Sequence, residues 1–99
     1  MEVLVMMHLF VAYLTKIETD QEEALREKHV AFLNDLTAKG RIAARGPFLD
    51  GSGGLVIYRA SDEASAFELA SGDPFVVGGA RSLVLKPWKG TFPDPEDDL

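Results

Sequence analysis

Residues Met7 to Leu14 read M-H-L-F-V-A-Y-L. In an extended strand successive side chains point to opposite faces. His8, Phe10 and Ala12 would share one face, and Leu9, Val11 and Tyr13 the other. Both faces are largely apolar, whereas a strand wetted on one side alternates apolar with polar residues. In a chain of 99 residues with a formal net charge of −6, such a segment has to be covered on both sides. The pattern therefore predicts a central strand, and whatever the rest of the chain forms must supply its neighbours and its cover.

The following residues supply them in order. Thr15 to Glu18 is a polar connection, and Thr19-Asp20-Gln21-Glu22 matches a capping box, with Thr19 as N-cap and Glu22 reaching back to its amide. The helix that follows is expected to run to about Ala38, with Gly40 as the left-handed residue beyond its end. Its apolar positions are Leu25, Phe32, Leu33 and Leu36, and His29 occupies the one step of that face that is not apolar. Arg41 to Phe48 reads as a second strand, ended at Gly46-Pro47 because proline cannot donate to a ladder. Asp50-Gly51 is a hairpin signal, which makes Leu55 to Arg59 a third strand antiparallel to the second. Ser61-Asp62-Glu63 reads as the start of a second helix capped by the serine, with Ala64, Phe67 and Ala70 as a narrow packing face. Gly72 ends it, Asp73-Pro74-Phe75 begins a short segment that reaches Gly78-Gly79, and Arg81 to Trp88 is a fourth strand.

The order β-α-β-β-α-β, with short connections and right-handed crossovers, gives a four-stranded antiparallel sheet with two helices on one face. The other face has no helix to cover it, yet carries apolar residues: Val56, Tyr58 and Val84 in one register, or Leu55, Ile57 and Leu83 in the other. An uncovered apolar face implies a partner, and a homodimer packed sheet to sheet is expected. Residues 1–90 read as one domain and 91–99 as an acidic tail with too little apolar content to pack. The strand pattern begins only at Met7, so translation could start at Met1, Met6 or Met7.

Several function classes are disfavoured by composition. The chain has no cysteine, which removes disulfides, thiolate metal sites and a cysteine nucleophile. The N-terminus lacks the basic flank and apolar core of a signal peptide, and no run approaches the roughly 20 apolar residues that span a bilayer; a soluble, cytoplasmic protein with no membrane partner is expected. The ten basic residues are scattered rather than striped, which argues against nucleic acid. There is no phosphate loop, dinucleotide fingerprint or GxSxG. His8 and His29 have no carboxylate at metal-ligand spacing, so neither a metal nor a cofactor is expected.

The groups left to carry chemistry are few. His29 on a core face is either a hydrogen-bonded structural residue or a working imidazole. Asp73, between Gly72 and Pro74, either caps the short segment after it or meets His29. The topology lays the two helices side by side, so the residue just after the second can approach the first. A carboxylate there would orient the imidazole, fix its tautomer and favour its cation, leaving it able to take and return a proton near neutral pH. Arg45-Gly46-Pro47 either bends a strand or lets a ligand approach the backbone, with Arg45 on an anionic group. Gly78-Gly79 with Arg81 is a flexible step into the last strand, and Arg81 is a second group able to hold an anionic oxygen.

The chain resembles the YciI-like (YCII-related) family from about Met7 to Trp88. The resemblance rests on the ordered set His29, Gly40-Arg41, Gly46-Pro47, Asp73-Pro74-Phe75 and Lys86-Pro87-Trp88. It implies a ferredoxin-like fold that dimerises into an α+β barrel, as in muconolactone isomerases and small heme-free monooxygenases. It also implies a pocket with a His–Asp dyad, carried here by His29 and Asp73. Some relatives have Asp before Gly-Pro-Phe where this chain has Arg45. Some look like enzymes that remove chloride from hydroxylated aromatic rings, and others are appended to transcription-related proteins.

Two functions follow as expectations. The first is a cofactor-independent enzyme in which His29, held by Asp73, moves a proton on a small cyclic or aromatic substrate bound by Arg45, Gly46, Pro47 and Arg81. The second is a dimeric small-molecule-binding or accessory module in which His29 is structural. A nucleic-acid or protein-interaction domain would need a basic or aromatic exposed sheet, and the acidic balance disfavours it.

Overall fold

Strand β1 (His8–Lys16) lies inside the sheet, as its two apolar faces require. A computed structural model describes residues 7–93 of the chain. After β1 come helix α1 (Gln21–Ala38), strands β2 (Ile42–Pro47) and β3 (Gly53–Ala60), helix α2 (Glu63–Ser71), the short helix α3 (Pro74–Val77) and strand β4 (Arg81–Trp88). The sheet order is β2-β3-β1-β4, with every neighbouring pair antiparallel. This is the ferredoxin-like α+β arrangement, with the short helix α3 added before the last strand. The choice of start among Met1, Met6 and Met7, and the tail beyond residue 93, lie outside the described residues.

The register decides which residues meet the helices. Leu14 pairs with Gly54 and Leu83, and Ala12 with Val56 and Leu85. Ala12, Leu14, Val56 and Tyr58 thus point to one side, where they pack with Leu33 and Leu36 of α1 and Ala70 of α2. Phe10, Ala60 and Ala66 continue this layer towards the far end of α2. Each fully buried leucine of this layer contributes about 1.5–3 kcal/mol by leaving water. Tyr13 pairs with Leu55 and Val84 on the opposite face. That face therefore combines Leu55, Ile57 and Val84, while Val56, Tyr58 and Leu83 face the helices. Neither grouping expected from the sequence is the observed one, because alternation alone does not fix how β4 slides against β1.

Close approach of β3 to β1 depends on Gly53, at φ +150°: a Cβ there would lie 1.9 Å from the Leu14 carbonyl oxygen. Gly40, at φ +77°, lies just beyond the end of α1 as expected.

Three local expectations are corrected. The N-cap of α1 is Asp20, without a side-chain cap bond. Thr19 accepts from the Gln21 amide at 3.3 Å instead, and Glu22 does not reach back, because Arg81 binds it at 2.5 Å. A charge-assisted bond at a part-buried site outweighs a solvated cap bond. The N-cap of α2 is Asp62 rather than Ser61, and its carboxylate accepts from the Ser65 amide at 2.8 Å. The packing face of α2 is Ala66 and Ala70, both fully buried, while Phe67 is exposed. Starting the helix at Glu63 turns Phe67 outwards, and the large Phe10 and Tyr58 below leave room only for methyl groups.

Candidate active site

His29 lies one turn after Leu25 and one turn before Leu33, on the sheet-facing side of α1, and its side chain is 12% exposed. Asp73 is fully buried. It stands in extended conformation (φ −61°, ψ 128°) between α2 and α3, with Pro74 in the first turn that follows, a position where the missing N–H costs nothing. Asp73 Oδ1 accepts the Phe75 amide at 2.9 Å and meets His29 Nδ1 at 2.7 Å. The cap reading and the histidine-contact reading of Asp73 are thus both true of one oxygen. An ionised carboxylate can only accept, so Nδ1 carries the proton and, in the neutral ring, Nε2 holds the lone pair. Nε2 makes no hydrogen bond to the described residues.

Phe75 fixes the ring plane. Its centroid lies 3.9 Å from that of His29, with 18° between the planes. The Arg81 guanidinium carbon lies 4.4 Å from the Phe75 centroid. Two groups so near cannot share one face of the ring, so Phe75 is held between imidazole and guanidinium. Arg81, 8% exposed, is bound in turn by Glu22. Burial pushes the Glu22 carboxyl up, but the hydrogen bond and charge of Arg81, helped by Lys16 and Arg26, hold it below its ordinary value. Tyr58 lies behind the pair. Burial, and secondly the Asp73 charge, raise its hydroxyl well above the ordinary tyrosine range, so it stays protonated near neutral pH and does not compete as a base.

His29 opens onto a cavity of about 330 Å³. One wall is α1, through Arg26, His29, Val30 and Leu33; Arg45, Gly46 and Pro47 of β2 form the other, and Leu14 and Val56 are part of its lining. Every substrate-contacting residue expected from the sequence (Arg45, Gly46, Pro47 and Arg81) lines this cavity. Their availability differs: Arg81 is tied to Glu22, whereas Arg45 is exposed and donates from Nη2 to Asn34 Oδ1 at 2.6 Å. Arg26 is a lining residue that sequence reasoning missed. It looks like surface charge, ion-paired with Glu22 and Glu23, although its place three residues before His29 sets both on one side of the helix. Gly79, at φ +77°, and Gly78 form the turn into β4 and are not part of the cavity lining. No group of three or more histidine, cysteine, aspartate or glutamate side chains able to hold a metal ion occurs among the described residues, and no described helix is long and apolar enough to cross a membrane.

A four-stranded split βαβ sheet, with a polar pair at the wall of a cavity beneath its first helix, defines a class of small α+β proteins. The chain belongs to the YCII-related domain family, whose model matches residues 6–89. It is 36% identical over 75 residues to the uncharacterised protein YjpA of Bacillus subtilis, which spans 72% of this chain and 88% of that protein. Its fold is similar to that of 5-chloro-2-hydroxyhydroquinone dehydrochlorinase (TftG) from Burkholderia phenoliruptrix, solved in complex with 2,5-dihydroxybenzoquinone. That similarity has a TM-score of 0.71 and 23% identity, over 84% of this chain and 95% of TftG.

Proposed function

We propose that this protein is a small enzyme that moves a proton on a hydroxylated aromatic or cyclic metabolite, with His29 as the acid–base group and Asp73 as the residue that orients it. The observation that carries this reading is the 2.7 Å contact of Nδ1 with a fully buried carboxylate, on a ring that lines a cavity. A histidine so held has one defined tautomer, with the Nε2 lone pair turned to the cavity to take a proton. The substrate ring supplies the electron sink, because its oxygens delocalise the negative charge left by the departing proton. The fold shared with a dehydrochlorinase directs attention to substrates bearing chloride. In a ring ketone tautomer with chlorine on the carbon beside a C–H, Nε2 takes that proton, the C–H electron pair becomes a C=C bond, and the C–Cl bond breaks. The products are the unsaturated ring, chloride and the imidazolium, which returns its proton to water; HCl is lost and nothing is oxidised. Without a leaving group, the same proton transfer gives isomerisation. Gly46, Pro47 and Arg81 complete the wall against which the ring lies.

The test is to follow chloride release and ring absorbance for a panel of chlorinated and unchlorinated hydroxyhydroquinones, with purified protein in buffer. Protein-dependent release or tautomer conversion of at least one compound is expected. Folded protein that binds panel members and converts none would return His29 and Asp73 to a structural role in a binding module.

The protein is further proposed to act as a homodimer joined through the open sheet face, with no nucleic acid as partner. Tyr13, Val84 and Trp88 are 37%, 49% and 42% exposed on the sheet face that no described helix covers, and large apolar side chains left exposed together on one face mark an interface. Light scattering on a sizing column is expected to return twice the chain mass of 10.8 kDa at micromolar concentration. A monomer with unchanged spectra would end the proposal.

A further inference from the structure

The charges on the cavity wall are unevenly compensated. Arg26 is paired with Glu22 and Glu23, and Arg81 with Glu22. Among the described residues Arg45 has no carboxylate partner: its one recorded side-chain bond goes to the neutral amide of Asn34. No aspartate or glutamate lines the cavity. Asn34 lies on α1 five positions after His29, about 7.5 Å further along the axis. A single Asn34 contact on Nη2 leaves the other guanidinium donors, and a planar fork of this kind fits a carboxylate in two-pronged fashion.

We infer that Arg45 is a specificity residue: it selects a substrate whose ring carries a carboxylate, and that group lies at the β2 end of the cavity while the reacting part of the ring faces His29. The inference rests on the cavity being the substrate site, as proposed above. Asn34 acts as a positioning residue that holds the guanidinium at the mouth. Because Arg45 is exposed, the preference is sensitive to salt, and raising ionic strength weakens it.

Two probes that differ only by the carboxylate test this: 2,5-dihydroxybenzoate and hydroquinone, with binding measured by calorimetry at low and high salt. Wild-type protein is expected to bind the dihydroxybenzoate roughly tenfold or more tighter than hydroquinone, with the ratio shrinking at high salt. Arg45→Met is expected to bring the ratio close to one, and Arg45→Lys to restore part of it. Asn34→Ala is expected to lower the ratio as well, by less than Arg45→Met. Equal affinity of the wild type for both probes, or a ratio that survives Arg45→Met, overturns the assignment; binding of neither probe overturns it together with the substrate cavity. His29→Gln separates the two ideas, since it removes turnover and leaves the ratio intact. A preserved ratio in a protein that converts neither the panel compounds nor their ring-carboxylated counterparts sinks the enzymatic reading and leaves the anion site standing.

Discussion

His29→Gln is expected to lower turnover of any converted panel compound by about 10²–10⁴-fold, the usual share of a positioned acid–base group, while the protein stays folded. Glutamine is the informative replacement. Its amide still offers a donor to Asp73 Oδ1, so the fully buried carboxylate is not stranded, but it has no group that takes a proton near neutral pH. Alanine would confuse the result, because an uncompensated buried charge costs roughly 3 kcal/mol or more. Asp73→Asn probes the other half of the contact. Its carbonyl oxygen can still accept from the Phe75 amide and from Nδ1, which keeps the α3 cap worth about 1 kcal/mol, but its amide can also turn a donor to the ring, so the tautomer is no longer fixed. A fall in kcat with KM little changed is expected for both variants, with circular dichroism and sizing profile like the wild type. Retention of more than a tenth of wild-type kcat by His29→Gln would remove His29 from the chemistry. If the variants instead shift melting temperature and ligand affinity together, the contact is a structural one.

The second large effect is on stability. Glu22→Gln is expected to cost about 2 kcal/mol, below the roughly 3–5 kcal/mol of a fully buried pair because Glu22 lies at the water-accessible rim. For a domain of this length that is a fall of roughly 10 °C in Tm. The loss arises because Arg81, wedged against Phe75, keeps its charge at a site that has lost its counter-charge. The pH dependence has a definite sign. The folded protein holds Glu22 below its ordinary value of 4.5, so the unfolded chain binds the extra proton. The stabilisation is fully present above pH 4.5 and is lost as pH falls through the folded value. Glu22→Gln should therefore flatten this part of the acid limb of a stability–pH curve obtained by urea titration. The double variant Glu22→Gln/Arg81→Met should be less destabilised than the two single losses added, since removing both charges leaves neither stranded. Strict additivity would show that the pair is not coupled.

These two charge pairs belong to one stack, in which Asp73, His29, Phe75, Arg81 and Glu22 follow one another through contacts of 2.7, 3.9, 4.4 and 2.5 Å. The order explains why Glu22 left its expected capping role. The capping box is a local rule that competes with tertiary partners, and here a guanidinium from residue 81 offered more than an exposed backbone amide. For the same reason Arg81, which reads in sequence as a free cation beside a flexible glycine step, acts as a clamp on Phe75. Arg45, which reads as strand-end surface charge, is left with a neutral partner beside the cavity.

Local chemistry was sufficient for much of the fold. Period-two and period-3.6 patterning gave the order of elements, the apolar faces of Met7 to Leu14 gave the central strand, and Gly40, Asp50-Gly51 and Gly46-Pro47 set the turns, because each depends on neighbours in the chain. The same patterning marked His29 as the polar interruption of a buried helix face. What lay beyond it were quantities fixed by residues far apart: the sliding of β4 against β1, which sorted Leu55, Ile57 and Val84 onto the open face; the phase of α2, which buried Ala66 and exposed Phe67; and the counter-ions of the arginines. The meeting of His29 with Asp73 could be anticipated from topology, yet its form was set only when α3, which Asp73 caps, packed against α1. Capping, histidine contact and aromatic stacking then converged on one carboxylate oxygen, because a fully buried charge requires donors and the tertiary structure determines which ones can reach it.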